Sequence, residues 1–136
     1  MSWLKRFLKK DEEAPLRGVR PVRREKTYSA DTGYVYQYFY EGYREVERNS
    51  QAGCEHVFSV TSDRVSRFPL RIFLAQETVD AYYRKHNREL NPTEQYAIVK
   101  MRLFEVFDEL SVLDSSSVGV IVALEHIEEH AETLDL

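Results

Sequence analysis

One cysteine, Cys54, stands in the 136 residues, so no disulfide can form within the chain. The core must therefore hold without staples, and a reducing compartment suits it. Glycine is scarce, at five scattered residues. Neither the phosphate-cradling loop, the dinucleotide fingerprint nor the nucleophile elbow occurs, which removes the commonest nucleotide-binding and serine-hydrolase signatures. Nowhere do about 18 apolar residues run together, so no helix is expected to span a bilayer. The opening MSWLKRFLKK lacks the apolar core of roughly 7–15 residues that a secretory signal carries. Ser2 stands where N-myristoylation needs glycine. A cytoplasmic protein is expected. Basic residues are also missing from one region: no Lys or Arg follows Arg102, while nine acids do.

The length fits one domain, large enough to bury a real core. Hydrophobic residues at 43% and charged residues at 31% exclude a disordered composition. The net charge of −4 conceals an asymmetry. Residues 1–30 carry nine Lys or Arg against four Asp or Glu, and residues 31–136 carry ten against nineteen. A basic arm thus joins an acidic body. Such an arm can meet an anionic membrane or a nucleic acid, or lie on its own body.

Within residues 1–26, positions 2–10 read as a short amphipathic helix, and the remainder, with Pro15, Gly18 and Pro21, as a linker. Trp3, Leu4, Phe7 and Leu8 cluster on one side of that helix, and Lys5, Arg6 and Lys9 on the other. Residues 27–136 form the expected domain. Tyr34, Tyr36, Tyr38 and Tyr40 alternate with Val35, Gln37 and Phe39, a period of two that predicts a strand over 32–46 with one tyrosine face. Gly42 breaks the alternation as a bulge would. Residues 49–53 read as a turn, 54–61 as a second strand and 68–74 as a third. Short connections favour an antiparallel meander.

Helices are expected over 76–87, with Val79, Tyr82, Tyr83 and His86 on one side, and over 92–110. Asn91, Pro92 and Glu94 supply a cap, a first-turn proline and a capping box for the second. Its broad stripe of Tyr96, Val99, Leu103, Val106 and Phe107 marks it as the central helix. VGVIVA at 118–123 suits strand or helix; helix from about Ser117 onward is the expectation, continuing through 124–134. The fold class is then α+β: a three-stranded antiparallel sheet with two or three helices on one face.

Three groups of residues bear on function. The face of Tyr34, Tyr36, Tyr38 and Tyr40 suits either core or a binding surface for a partner, a small ligand or bases. HIEEH, from His126 to His130, matches the H-x-x-E-H spacing of zinc peptidases over five residues. With only six residues after it, a third downstream ligand has no room, so a solvated helix face is expected. His126 and His130 remain the weak metal candidates, and no cofactor is expected. Cys54 and His56 share a strand face, as a metal pair or a thiol and its base would. The reading is a non-enzymatic interaction or adaptor domain of unknown partner, peripheral to the inner membrane through its arm. A homo-oligomer would multiply the arms. The alternatives are a nucleic-acid-binding domain using arm and tyrosines, and a small metal-dependent enzyme.

Overall fold

A computed structural model describes residues 14–109 and 119–136. The described residues fold into a five-stranded, mostly antiparallel sheet with three helices on it. The strands β1 (Lys26–Ser29), β2 (Val35–Arg48), β3 (Gln51–Thr61) and β4 (Phe68–Ala75) form an antiparallel meander. Helices α1 (Gln76–His86) and α2 (Pro92–Glu109) follow, then β5 (Gly119–Ile121) and α3 (Leu124–Thr133). Among the described residues no helix is long and apolar enough to cross a membrane.

Two strands exceed the three expected. β1 is four residues of mostly polar, exposed chain, too short to show a period. β5 corrects the expectation of helix from Ser117: Gly119–Ile121 pairs parallel with Arg71–Phe73 of β4. Its β-branched residues cover an edge of β4 that would otherwise keep unpaired amides. α3 begins only at Leu124, where the His126 ring turns back to accept the Ala123 amide at 2.9 Å.

The β2–β3 hairpin is longer than expected because its turn is only Asn49 and Ser50. Both have positive φ, 51° and 66°, as a type I′ two-residue hairpin turn requires. Gly53 accordingly belongs to β3 instead of the turn. A Cβ there would stand 2.5 Å from the Leu74 carbonyl oxygen, so glycine permits the close approach of β4. Gly42 is the bulge: the β2–β3 register shifts between Tyr40 and Gly42.

The shift keeps one face continuous. Tyr36, Tyr38 and Tyr40 lie on it, and beyond the bulge so does Tyr43, opposite His56. This face and Leu70, Ile72 and Leu74 of β4 receive the helices. Tyr36 stacks on Phe107 at 4.5 Å between centroids, and Ile98, Val99, Leu103 and Ile127 complete a buried core. α2 starts with the expected capping box: Asn91 Oδ1 accepts the Glu94 amide at 2.8 Å, and Glu94 Oε1 accepts the Asn91 amide at 2.9 Å. On α1, Val79 and Tyr82 are buried but Tyr83 and His86 are exposed, so that helix buries a narrower face than its sequence stripe.

The opposite sheet face is mixed, with buried Val57 and Phe73 beside charged groups. Buried Glu55 receives Arg44 Nη1 at 3.1 Å and Arg48 Nη2 at 3.0 Å across β2 and β3. The guanidinium groups of Arg23 and Arg67 lie over the Phe39 ring, 5.4 and 4.8 Å from its centroid. Residues 14–25 run beside β2: Arg17 and Tyr43 exchange two backbone hydrogen bonds of 2.7 and 2.9 Å.

Leu103 and Phe107 are fully buried where helix meets sheet. Truncating either to Ala is expected to cost about 2–5 kcal/mol through lost burial and a residual cavity. Denaturant melts check this, and midpoints equal to the parent's would contradict the packing.

Candidate functional site

The tyrosine strand does not present a uniform surface. Tyr36 and Tyr38 are buried under α2, Tyr40 is half-buried, and Tyr34 is 42% exposed at the strand's start. Tyr38 packs edge-on against Phe58 and Phe104. Rings directed at the helices contribute hydrophobic area and stacking to the core. The Tyr36 hydroxyl has no hydrogen-bond partner where it is buried. Of the four, Tyr40 lines an open cleft.

That cleft has a volume of about 950 Å³. Its floor is the hairpin beyond the bulge, with Tyr40, Tyr43 and Glu45 from β2 and Cys54 and His56 from β3. Gln76 and Val79 of α1 and Thr93, Gln95 and Tyr96 at the start of α2 form the walls, with Gly18 and Arg20 at the edge of β2. The bulge is what puts Tyr43 and Glu45 on the same face as Tyr40. Gly53, opposite Val46, lets the neighbouring strand close underneath.

His56 is the polar centre. Tyr40 and Tyr43 lie with ring centroids 5.9 Å from it and Tyr96 at 6.1 Å. Tyr40 and Tyr96 meet edge to face at 4.9 Å. The Tyr40 hydroxyl is 2.8 Å from Nδ1, and Cys54 Sγ is 3.5 Å from Nε2. In one tautomer Tyr40 donates to Nδ1 and Nε2–H donates to the sulfur. In the other, the thiol donates to Nε2 and Nδ1–H donates to the phenol. Either way Tyr40, His56 and Cys54 form one hydrogen-bonded chain.

Both ends of the Cys–His pair are held neutral. Burial lowers the imidazole to about 4. Burial, with added repulsion from Glu45 and Glu55, raises the Cys54 thiol to about 11. Burial also raises the Tyr40 and Tyr96 phenols, while the positive charge of Arg20 works against it. A reactive cysteine needs thiolate, favoured by nearby positive charge. Here the thiol and the uncharged imidazole predominate near neutrality. The arrangement offers hydrogen bonds and aromatic faces to a ligand, without a preformed nucleophile.

The residues of the HIEEH stretch lie elsewhere, on α3. His130 is buried, which corrects the expected solvated face: Ile127 and Ala131 set the buried side, and His130 falls within its arc. The His126 Nδ1 lone pair is occupied by the Ala123 amide. The arm residues Trp3, Leu4, Lys5, Arg6, Phe7, Leu8 and Lys9 lie outside the described residues. No local sequence pattern marks Tyr96, Glu45 or Arg20 as site residues. Only the Gly42 bulge signalled Tyr43, by restoring it to the face of Tyr40.

No protein-family model matches this chain, and no curated protein or solved structure matches it either.

The depressed His56 value has a consequence for stability. In the unfolded chain an imidazole titrates near 6.5, so between about 6.5 and 4 the unfolded form binds a proton that the folded form refuses. His56 is therefore expected to withdraw up to about 3 kcal/mol of stability as pH falls through that window, with no further loss below it. Denaturant melts at pH 7, 5.5 and 4.5 should show a shallower decline for His56→Gln. Parallel declines in the two proteins would contradict a buried neutral imidazole.

Proposed function

We propose that this protein is a non-enzymatic interaction domain that receives a segment of a partner protein in the cleft around His56. The observation that carries the reading is the convergence of Tyr40, Tyr43 and Tyr96 on one open volume of about 950 Å³. Tyrosines combine a large apolar face with a hydrogen-bonding tip, and aromatic residues are enriched in the cores of protein interfaces. Val46, Leu74 and Val79 add apolar lining, while Glu45, Gln76, Thr93 and Gln95 offer polar contacts. An aliphatic or aromatic side chain of the partner would bury against the rings, with its backbone bonded to those polar groups. The neutral Cys54–His56 pair supports binding over nucleophilic catalysis. Burial of Tyr36 and Tyr38 leaves few rings for stacking bases, which weakens the nucleic-acid reading.

The basic arm would add a tether to an anionic membrane surface. Each Lys or Arg near such a surface contributes about 1 kcal/mol. That is small against the ordering cost, so the attachment would be weak and salt-sensitive for a single arm.

The test of the cleft is a photo-crosslinking amino acid placed in cells at Ala52, which lines it, and separately at exposed Val65. One defined protein should crosslink from position 52, not from 65, and be lost when Tyr96→Ala is added. Crosslinking from 65 alone, from both positions alike, or from neither would overturn the reading. Co-sedimentation with anionic vesicles tests the tether. Binding should fade with salt and be abolished by Phe7→Glu, whereas equal sedimentation with neutral vesicles would exclude it.

A further inference from the structure

We propose that Glu105 of α2 and Glu129 and His130 of α3 bind one divalent transition-metal ion of the zinc class, which pins α3 across α2. One donor atom from each residue lies within 4.8 Å of the other two. Donor pairs on a tetrahedral ion with bonds of about 2.0–2.2 Å stand about 3.3–3.5 Å apart, so side-chain rotation suffices to close the set. Glu129 is exposed and free to swing inward.

His130 supplies the independent observation. It is only 4% exposed, yet neither ring nitrogen makes a hydrogen bond. Nε2 sits 2.8 Å from Glu105 Oε1 without the alignment that an N–H donor needs. Buried polar atoms normally have partners, and an orphan costs stability. Nε2 and the carboxylate oxygen stand at ion-pair distance without good hydrogen-bond alignment, and they need to separate by only about 0.5 Å to take one ion as two of its ligands.

One imidazole with two carboxylates favours zinc and its neighbours over magnesium or calcium, which prefer oxygen throughout. The sequence spacing had suggested His126 and His130 as the ligand pair. With His126 Nδ1 committed to the Ala123 amide, Glu105 from the neighbouring helix takes that place. Arg102 is the resident competitor. Its Nη1 lies 3.2 Å from the same Glu105 oxygen, while its Nε donates to the Ile121 carbonyl. The ion must displace the first contact and can leave the second intact.

The experiment is calorimetric titration of zinc into the chelator-treated full chain carrying Cys54→Ser, which removes the cleft thiol as a competing ligand. One zinc per chain should bind and raise the melting temperature, while magnesium and calcium should do neither. Outer-shell changes alone cost about 10–100-fold in metal affinity, so loss of a ligand in Glu129→Gln should weaken zinc by at least about tenfold. Glu129 is exposed, so this variant should melt like the parent when no metal is present. His126→Gln, which retains a side chain able to cap α3, should bind zinc as the parent does. No zinc binding in the Cys54→Ser protein, or affinity unchanged by Glu129→Gln, would overturn the assignment. Loss on His126→Gln with none on Glu129→Gln would do the same.

Discussion

The bulge at Gly42 is the constraint on which the architecture depends. β2 is 14 residues long, and a side chain on an uninterrupted strand would keep its parity throughout. Tyr43 would then point away from Tyr40, and the far half of the hairpin would turn its acidic and aromatic residues to the opposite face. One extra residue reverses that parity. Gly42 adopts φ of 130°, where a side chain is strained, and a Cβ would stand 2.5 Å from the Arg17 carbonyl oxygen. Glycine therefore serves two needs at one position, the bend of the strand and the approach of residues 14–18 to its edge.

From that bend the sheet divides into two working halves. Before it, Tyr36 and Tyr38 lie under α2, where Phe58, Leu103 and Phe107 seal a dry core. After it, the hairpin extends past the start of α2 and its helix-facing side stays open as the cleft. Glu55, bridging Arg44 and Arg48 on the other face, ties the two strands of that extension together. Glu55 is buried and accepts from both arginines, so the hairpin register and the cleft floor are braced from behind. The cleft's chemistry follows from the same geometry: residues 54 and 56 share a face, and burial beside Tyr40 keeps them uncharged.

Much of the fold was legible in the sequence because period and caps are local signals. The alternation around Tyr36, the bulge at Gly42 and the Asn91–Glu94 box each belong to one stretch of chain. β1 and β5 were not legible, since four and three residues carry no period and their pairing is decided by the edges they cover. Gly53 suggested a turn, whereas its role is contact with a strand some twenty residues later. The cleft was legible only in fragments. Cys54 and His56 were paired by spacing and Tyr40 by alternation, but Tyr96 and Val79 approach from helices whose docking no local pattern encodes. His130 was misplaced for a related reason: a polar residue at the margin of a helical stripe is buried or exposed according to its neighbour, here Glu105.

The most direct test of the bulge as organiser is native-state hydrogen exchange on Gly42→Val. The account predicts that the Arg17 and Tyr43 amides, which make the two edge hydrogen bonds, lose protection while the Leu103 and Phe107 amides of α2 keep theirs. It also predicts that Cys54, no longer enclosed at the cleft, is alkylated faster than in the parent. Retained protection at Arg17 and Tyr43 together with unchanged Cys54 alkylation would contradict it.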